Sequence, residues 1–267
     1  MPDVSVRPTG RADQAHGLRR LFAAAQRQHL ALVANPHVAF GSVVLERLTT
    51  VLDAMGLHTL VVDAAATSPA PQELAGLDLR ACIEPLSARV SYLAARGLPL
   101  RHVDARGSAA GFLDQLQAAA PDCGVLLLHA DAADLARLYP QRALRPLLLA
   151  ADHAESITHA YAAMKLLAMR NALMSYDLVL AAAPQSPRVP LIAQRLRSCA
   201  DSFLGAALHD WAAVDPACDV RENPGTALVR LVAAQLHAQL PLDELDDAAP
   251  PPAAWRGPAV RDALLAM

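Results

Sequence analysis

Three stretches of this 267-residue chain carry side chains that could do chemistry. The first is Asp13-Gln-Ala-His-Gly-Leu-Arg19, polar and charged residues on one amphipathic segment. The second is a scatter of histidines and acids: His129-Ala-Asp131, then Asp152-His153, Glu155 and His159. A His-x-Asp spacing can offer a divalent ion an imidazole nitrogen and a carboxylate oxygen. No HExxH or related pattern accompanies it. The set is therefore read as polar residues at the rim of a sheet, where α/β proteins place their sites, and no metal is expected. The third is the pair Ser42 and Ser156, each near the start of a helix. Neither lies in a nucleophile elbow, so both are read as N-caps. Cys82, Cys123, Cys199 and Cys218 form no CxxC pair and no metal-like spacing, and are expected to be small buried thiols.

The elements that must position these residues follow from composition and period. Apolar residues make up 54% of the chain and charged residues 18%, which excludes a disordered protein. Only 4% are aromatic, so Ala, Leu and Val must build the core, the palette of helices packed on a parallel sheet. The net charge of −3 argues against nucleic-acid binding by bulk charge. No apolar run approaches the roughly 18 residues needed to span a bilayer, and the polar start has no signal-peptide core.

Residues 11–28 read as a helix with Leu18, Leu21, Phe22 and Ala25 on one face. Strands follow at 29–34, 59–63, 124–128, 145–150, 177–181 and 208–214. A helix from Ser42 presents Val44, Leu45, Leu48, Val51, Leu52 and Met55, and Gly56 ends it. A helix from Ser156 presents Ile157, Tyr161, Met164 and Ala168, with Lys165 toward solvent. Another, over 190–203, presents Ile192, Leu196, Cys199 and Phe203. A last helix starts at Pro224 with Asn223 as N-cap. Trp211 is read as structural. This alternation predicts a doubly wound, mainly parallel α/β sheet flanked by helices.

Asp13-Gln14-Ala15-His16-Gly17-Leu18-Arg19 resembles the DQAxxLR motif of the FlhG/FleN proteins, MinD/ParA-type ATPases that govern flagellar number and placement. The motif stands just before the first strand, as in that family. The segment Ser156-Ile-Thr-His-Ala-Tyr-Ala-Ala-Met-Lys-Leu-Leu167 is similar to the family's PEPTSITDAYALIKLL. The resemblance covers about residues 11–240 and implies a MinD/SIMIBI-type P-loop NTPase fold. It also exposes departures. The family's phosphate loop, KGGVGKT, aligns with Asn35, Pro36, His37, Val38, Ala39, Phe40, Gly41 and Ser42. Ser42 keeps a hydroxyl where the family has the Mg²⁺-binding Thr. Gly41 replaces the phosphate lysine, Pro36 the signature lysine and Phe40 a glycine. Proline deletes an N–H donor, and the side chains of His37, Val38 and Phe40 are expected where phosphates would lie. Ala65 replaces a second aspartate, His129 stands at the Mg²⁺-side aspartate, and Ala181–Ala183 lack an adenine-contacting Asn. The chain thus reads as a degenerate member, a pseudo-ATPase with no nucleotide cofactor.

The resemblance implies a cytoplasmic flagellar regulator that acts by binding. Its partner would be the signal-recognition-particle-type GTPase FlhF. Gln14 would act in trans by orienting the attacking water, since an amide both donates and accepts. Asp13, Ala15, Leu18 and Arg19 would make the partner contact. Two other readings stay open: an active MinD-type ATPase that uses ATP and Mg²⁺ through an aberrant loop, and an anti-activator that binds a flagellar transcription regulator. A basal-body component is a further candidate partner. The expected organisation is an activator segment over 1–28, an α/β domain over 29–240, and an acidic, proline-rich linker with a short tail over 241–267. Trp255, Val260, Leu264, Leu265, Arg256 and Arg261 in that tail would support at most weak contact with the inner membrane, including at the cell pole.

Overall fold

A computed structural model describes residues 27–140, 144–219 and 222–239. Asp13, Gln14, Ala15, Leu18, Arg19 and the tail over 241–267 lie outside the described residues. Strands made of unbroken Leu, Val and Ala must be covered on both faces, which parallel pairing with helical crossovers provides. The strands are β1 (Gln28–Val33), β2 (Thr59–Asp63), β3 (Glu84–Pro85), β4 (Val90–Ala94), β5 (Val125–Ala130), β6 (Leu147–Ala151), β7 (Ser175–Ala181) and β8 (Ala207–Val214). They form one sheet in the order β3-β4-β2-β5-β1-β6-β7-β8, parallel throughout except for β3 against β4. The helices are α1 (Gly41–Ala54), α2 (Leu98–Arg101), α3 (Ala110–Ala119), α4 (Ala132–Leu138), α5 (Ala154–Asn171), α6 (Arg188–Leu204) and α7 (Thr226–His237).

Side chains alternate across each strand, so each face has its own core. Leu30, Leu32, Val61 and Leu127 meet Leu48 and Leu52 of α1 and Leu231 of α7. Ala31, Val33, Leu126 and Leu128 face the layer that contains Phe112, Leu135, Met164 and Ile192 of α3 to α6.

Polar side chains tie down the start of the central strand. The Arg27 guanidinium donates to the carbonyls of Leu116, Ala120 and Cys123 at and just past the C-terminus of α3, where a cation also suits the helix dipole. The His29 N–H donates to Gln239 Oε1 at 2.7 Å, and Gln239 Nε2 donates to the His29 carbonyl at 2.6 Å. Each sheet edge carries a feature that blunts it. β3 is two residues long and contains Pro85, and Arg197 of α6 donates to the carbonyls of Leu208 and His209 on β8.

The expected strands are present, β2 with its expected bounds and the others with shifted ends: β6 opens at Leu147 rather than Arg145, and Gln28 belongs to β1 rather than to a preceding helix. The predicted helix faces need correction where the core uses alanine. On α5 the buried stripe is Ala160, Ala163, Met164 and Leu167, leaving Ile157, Tyr161 and Ala168 half-buried. On α6 it runs through Val189, Ile192, Ala193, Leu196 and Ala200; Cys199 is half-buried and Phe203 is 76% exposed. A pattern drawn through large residues passes over the small ones that let a helix approach the sheet. The N-cap of α7 is Gly225 rather than Asn223, and its first residue is Thr226, beyond Pro224. Met55 caps the end of α1 and is half-buried, and Gly56 follows with a φ of +78°, as a helix stop requires. Only Cys82 among the cysteines is fully buried. Residues 64–123, unread from the sequence, supply β3, β4, α2 and α3. Among the described residues no helix is long and apolar enough to cross a membrane.

Removing the fully buried ring in Phe112→Ala should cost about 3–5 kcal/mol, whereas Phe203→Ser should stay within about 0.5 kcal/mol of the parent. Urea unfolding of the two variants measures this, and a large loss for Phe203→Ser would contradict the stripe described for α6.

Candidate functional site at the carboxyl edge of the sheet

In a doubly wound sheet the connections leave a central strand toward opposite faces, and the loops there open a crevice at the carboxyl ends. Here that strand is β1, between β5 and β6. The loop from β1 to α1 runs from Ala34 to Phe40 and is held by side chains rather than by glycines. Asn35 is buried. Its Nδ2 donates to the Leu149 carbonyl at 2.9 Å, the Ser156 carbonyl at 2.9 Å and Ser156 Oγ at 3.0 Å. Its Oδ1 accepts the His37 N–H at 3.1 Å, closing an Asx turn over Pro36.

His37 is exposed but engaged. Its carbonyl accepts from His153 Nε2 at 2.9 Å, its Nδ1 lies 3.7 Å from Glu155 Oε2, and its ring stands 5.7 Å from that of His159. Val38 turns into the core beneath α1, which corrects its expected place at the mouth of the loop. Ala39 and Phe40 face solvent, and Phe40 is 57% exposed. A side chain at Gly41 would meet Leu149 Cδ2 at 3.7 Å, an ordinary contact.

Both serine assignments are corrected. Phe40 occupies the N-cap of α1 without a side-chain cap bond, and Ser42 lies inside the first turn. The N-cap of α5 is His153, and Ser156 is a fully buried residue of its first turn. Its Oγ accepts the Ala151 N–H at 2.8 Å as well as the Asn35 amide. The hydroxyl thus joins β6, α5 and the loop.

Beside this loop, the register of β2 and β5 sets Asp63 opposite His129. His129 Nδ1 lies 2.7 Å from Asp63 Oδ1, the Tyr92 hydroxyl donates to Asp63 Oδ2 at 3.2 Å, and the Ser68 hydroxyl donates to Oδ1. Burial works to raise the Asp63 carboxyl, but the hydrogen bonds from His129, Ser68 and Tyr92 and the nearby imidazole outweigh it and hold it below the ordinary carboxylate range. Burial and the Asp63 charge push the Tyr92 phenol up, so it stays a donor. A carboxylate at Asp63 places the proton of His129 on Nδ1. His129 Nε2 is buried without a hydrogen-bond partner among the described residues.

Asp131 is half-exposed; burial and then Asp134 push its carboxyl up, against the opposing effects of the Ala66 backbone, His129 and His159. Burial and then His37 push the His159 imidazole down, against Asp131 and the Ala34 backbone. No three or more His, Cys, Asp or Glu among the described residues are grouped to hold a metal ion. The sequence located the loop 35–42, Asp63 and Ser156, the last as a helix cap, but the partners Ser68 and Tyr92 of this polar network carry no sequence pattern.

No family model matches the chain, and no curated protein matches it. Solved structures do. The MinD cell division protein of Aquifex aeolicus is 11% identical, the match covers 81% of this chain and 100% of that one, and the TM-score is 0.54. A plasmid partition protein of Borrelia burgdorferi, solved with AMPPNP bound, is 5% identical over 78% of this chain and 99% of that one, at a TM-score of 0.55. The cell division ATPase MinD of Pyrococcus furiosus is 14% identical over 78% and 98%, at 0.50. The chain has the fold of the MinD/ParA-type P-loop NTPases.

Asn35→Ala should destabilise the protein by about 1–3 kcal/mol, because buried acceptors at Leu149 and Ser156 lose their donor. The midpoint of chemical unfolding reports it. A second expectation concerns pH. The folded chain binds a proton at His159 less readily than the unfolded chain does. Its contribution to stability is therefore complete above the ordinary histidine range and is lost as pH falls through the folded value. Asp131 acts in the opposite sense and is present in both proteins compared. Unfolding free energies measured between pH 7.5 and pH 5 should fall less steeply for His159→Gln than for the parent.

Proposed function

We propose that this chain is a binding regulator on a nucleotide-hydrolase fold, a degenerate relative of the FlhG/FleN proteins that acts on flagellar number and placement without using a nucleotide itself. What carries the reading is the Asp13–Arg19 motif immediately before β1, on a fold whose phosphate loop has been rebuilt as an internally bonded turn. A phosphate loop needs successive inward N–H groups, close backbone approach and a lysine. Between Asn35 and Ser42 no lysine is present, Pro36 lacks an N–H, the Asn35 side chain is bonded to Ser156, and the His37 carbonyl accepts from His153. The donor set does not fit a nucleoside triphosphate, and the Asp63 carboxylate is taken up by His129 Nδ1, Ser68 and Tyr92.

In this reading the chemistry takes place in the partner, an FlhF-type GTPase. Asp13, Ala15, Leu18 and Arg19 bind it, and the Gln14 amide orients the attacking water in trans. GTPases with poorly positioned water hydrolyse slowly, and one orienting group can raise the rate by orders of magnitude.

Two measurements test this. Calorimetry should give no dissociation constant for MgATP or MgADP below about 100 μM, roughly −5.5 kcal/mol, and Gly41→Lys should not restore binding. A peptide of residues 1–28 should accelerate GTP hydrolysis by FlhF, with Gln14→Ala losing most of the gain and Leu18→Asp weakening binding. Tight MgATP binding would overturn the nucleotide-free reading. Equal stimulation by the Gln14→Ala peptide would reduce the motif to a docking element.

A further inference from the structure

Phe112 and Leu116 fasten α3 to the sheet, and a second face of the same helix lines a groove. Ala110, Leu113, Asp114 and Gln117, at offsets of three, four and seven, form one wall, and the fully buried Leu138 and Tyr139 back the other side. The groove has a volume of about 380 Å³, and Arg27 stands at its end. That size falls in the range of about 300–1,000 Å³ in which pockets accept a substantial apolar group. Its lining mixes apolar surface with one exposed carboxylate, Asp114.

The occupant is identified by where the chain enters the domain. Arg27 is fixed by its three carbonyl partners beside the groove. The residues just before it include Leu18, Leu21, Phe22 and Ala25, which repeat the offsets of three, four and seven found along the α3 wall. Arg19 and Arg20 flank that stripe and are opposite in sign to Asp114. We propose that residues 18–25 dock in this groove as an amphipathic helix, with Leu21 and Phe22 against Ala110 and Leu113 and the arginines toward Asp114.

Three physical arguments favour this occupant. Eight helical residues span about 12 Å, well matched to the roughly 15 Å length of α3. A helix laid in a groove is recognised through anchors at this spacing. A tether of one residue between Ala25 and the anchored Arg27 gives an effective concentration in the millimolar range or above, so modest contacts are enough to fill the groove. The tail that departs at Gln239 leaves from the same end of β1, but its first large aromatic residue is Trp255, on a much longer tether. One consequence rests on the function proposed above: docking withholds Leu18 and Arg19 from a GTPase, so the partner must displace the groove to reach Gln14.

Hydrogen exchange of the full-length protein tests the docking directly. Amides of residues 18–25 should exchange at least ten-fold more slowly than an unstructured chain, and both Leu113→Asp and Phe22→Asp should abolish that protection. Asp114→Arg should weaken it. Unfolding midpoints confirm that the variants are folded, and Phe22→Asp, which lies outside the groove walls, covers the case in which Leu113→Asp is not. Unstructured exchange rates at 18–25 in the parent, or protection that survives Leu113→Asp in a folded protein, would overturn the proposal. Free exchange at 18–25 together with loss of α3 protection in Trp255→Asp would assign the groove to the tail, with the same result. The GTPase assay separates the two ideas. Docking without stimulation by the 1–28 peptide sinks the function and leaves the groove occupied. Stimulation without protection does the reverse.

Discussion

Every central strand of this sheet is covered on both faces, and that constraint decides where polarity can go. A polar group within such a strand would have to be desolvated without a guaranteed partner, at a cost of about 1–3 kcal/mol. The middle of β1, β5 and β6 is accordingly Leu, Val and Ala alone. Buried polar side chains gather at the two rims. Arg27, His29, Thr59, Asp177 and Gln235 stand at or near the amino ends of strands, and Asn35, Asp63, His129 and Ser156 at or near the carboxyl ends. The two rims do different work. At the amino rim the groups hold segments together: Gln235 donates to Asp177, and Arg145 stands 3.0 Å from the same carboxylate.

At the carboxyl rim, the side that other proteins of this fold open to a ligand, the groups bond to one another, with His129 Nε2 left unpaired among the described residues. Asn35 serves three acceptors and one donor, and Asp63 accepts from three side chains. A buried network of this kind stabilises only when its members are paired, and removing one strands the others. In this chain the carboxyl rim of the sheet fastens a loop through buried side chains.

How much of this was legible follows from which signals are periodic. Parallel strands announce themselves as apolar runs, so the strand at 59–63 has the expected bounds and five others shift by a few residues at most. The loop at 35–42 and the acid at Asp63 are legible through the resemblance to the FlhG/FleN proteins, whose phosphate loop aligns with residues 35–42. β4 was missed because Ser91 and Tyr92 interrupt its apolar run, and Tyr92 is there to meet Asp63. Ser156 reads as a cap because hydroxyls favour helix starts. Its actual role depends on Asn35, 121 residues away, which no local pattern encodes. Phe203 was placed inward by spacing alone, while the burial belongs to Ala200.

The ends of the sheet bear on solubility. An open edge strand presents unpaired amides and carbonyls that a second chain can extend, the first step of aggregation by strand addition. On one side the terminal strand is two residues long, and half of it is Pro85, which has no N–H to offer a newcomer. On the other, Arg197 covers the carbonyls of Leu208 and His209 with a charge that an incoming backbone would have to displace. Strand addition is thus disfavoured at β3 and at the start of β8.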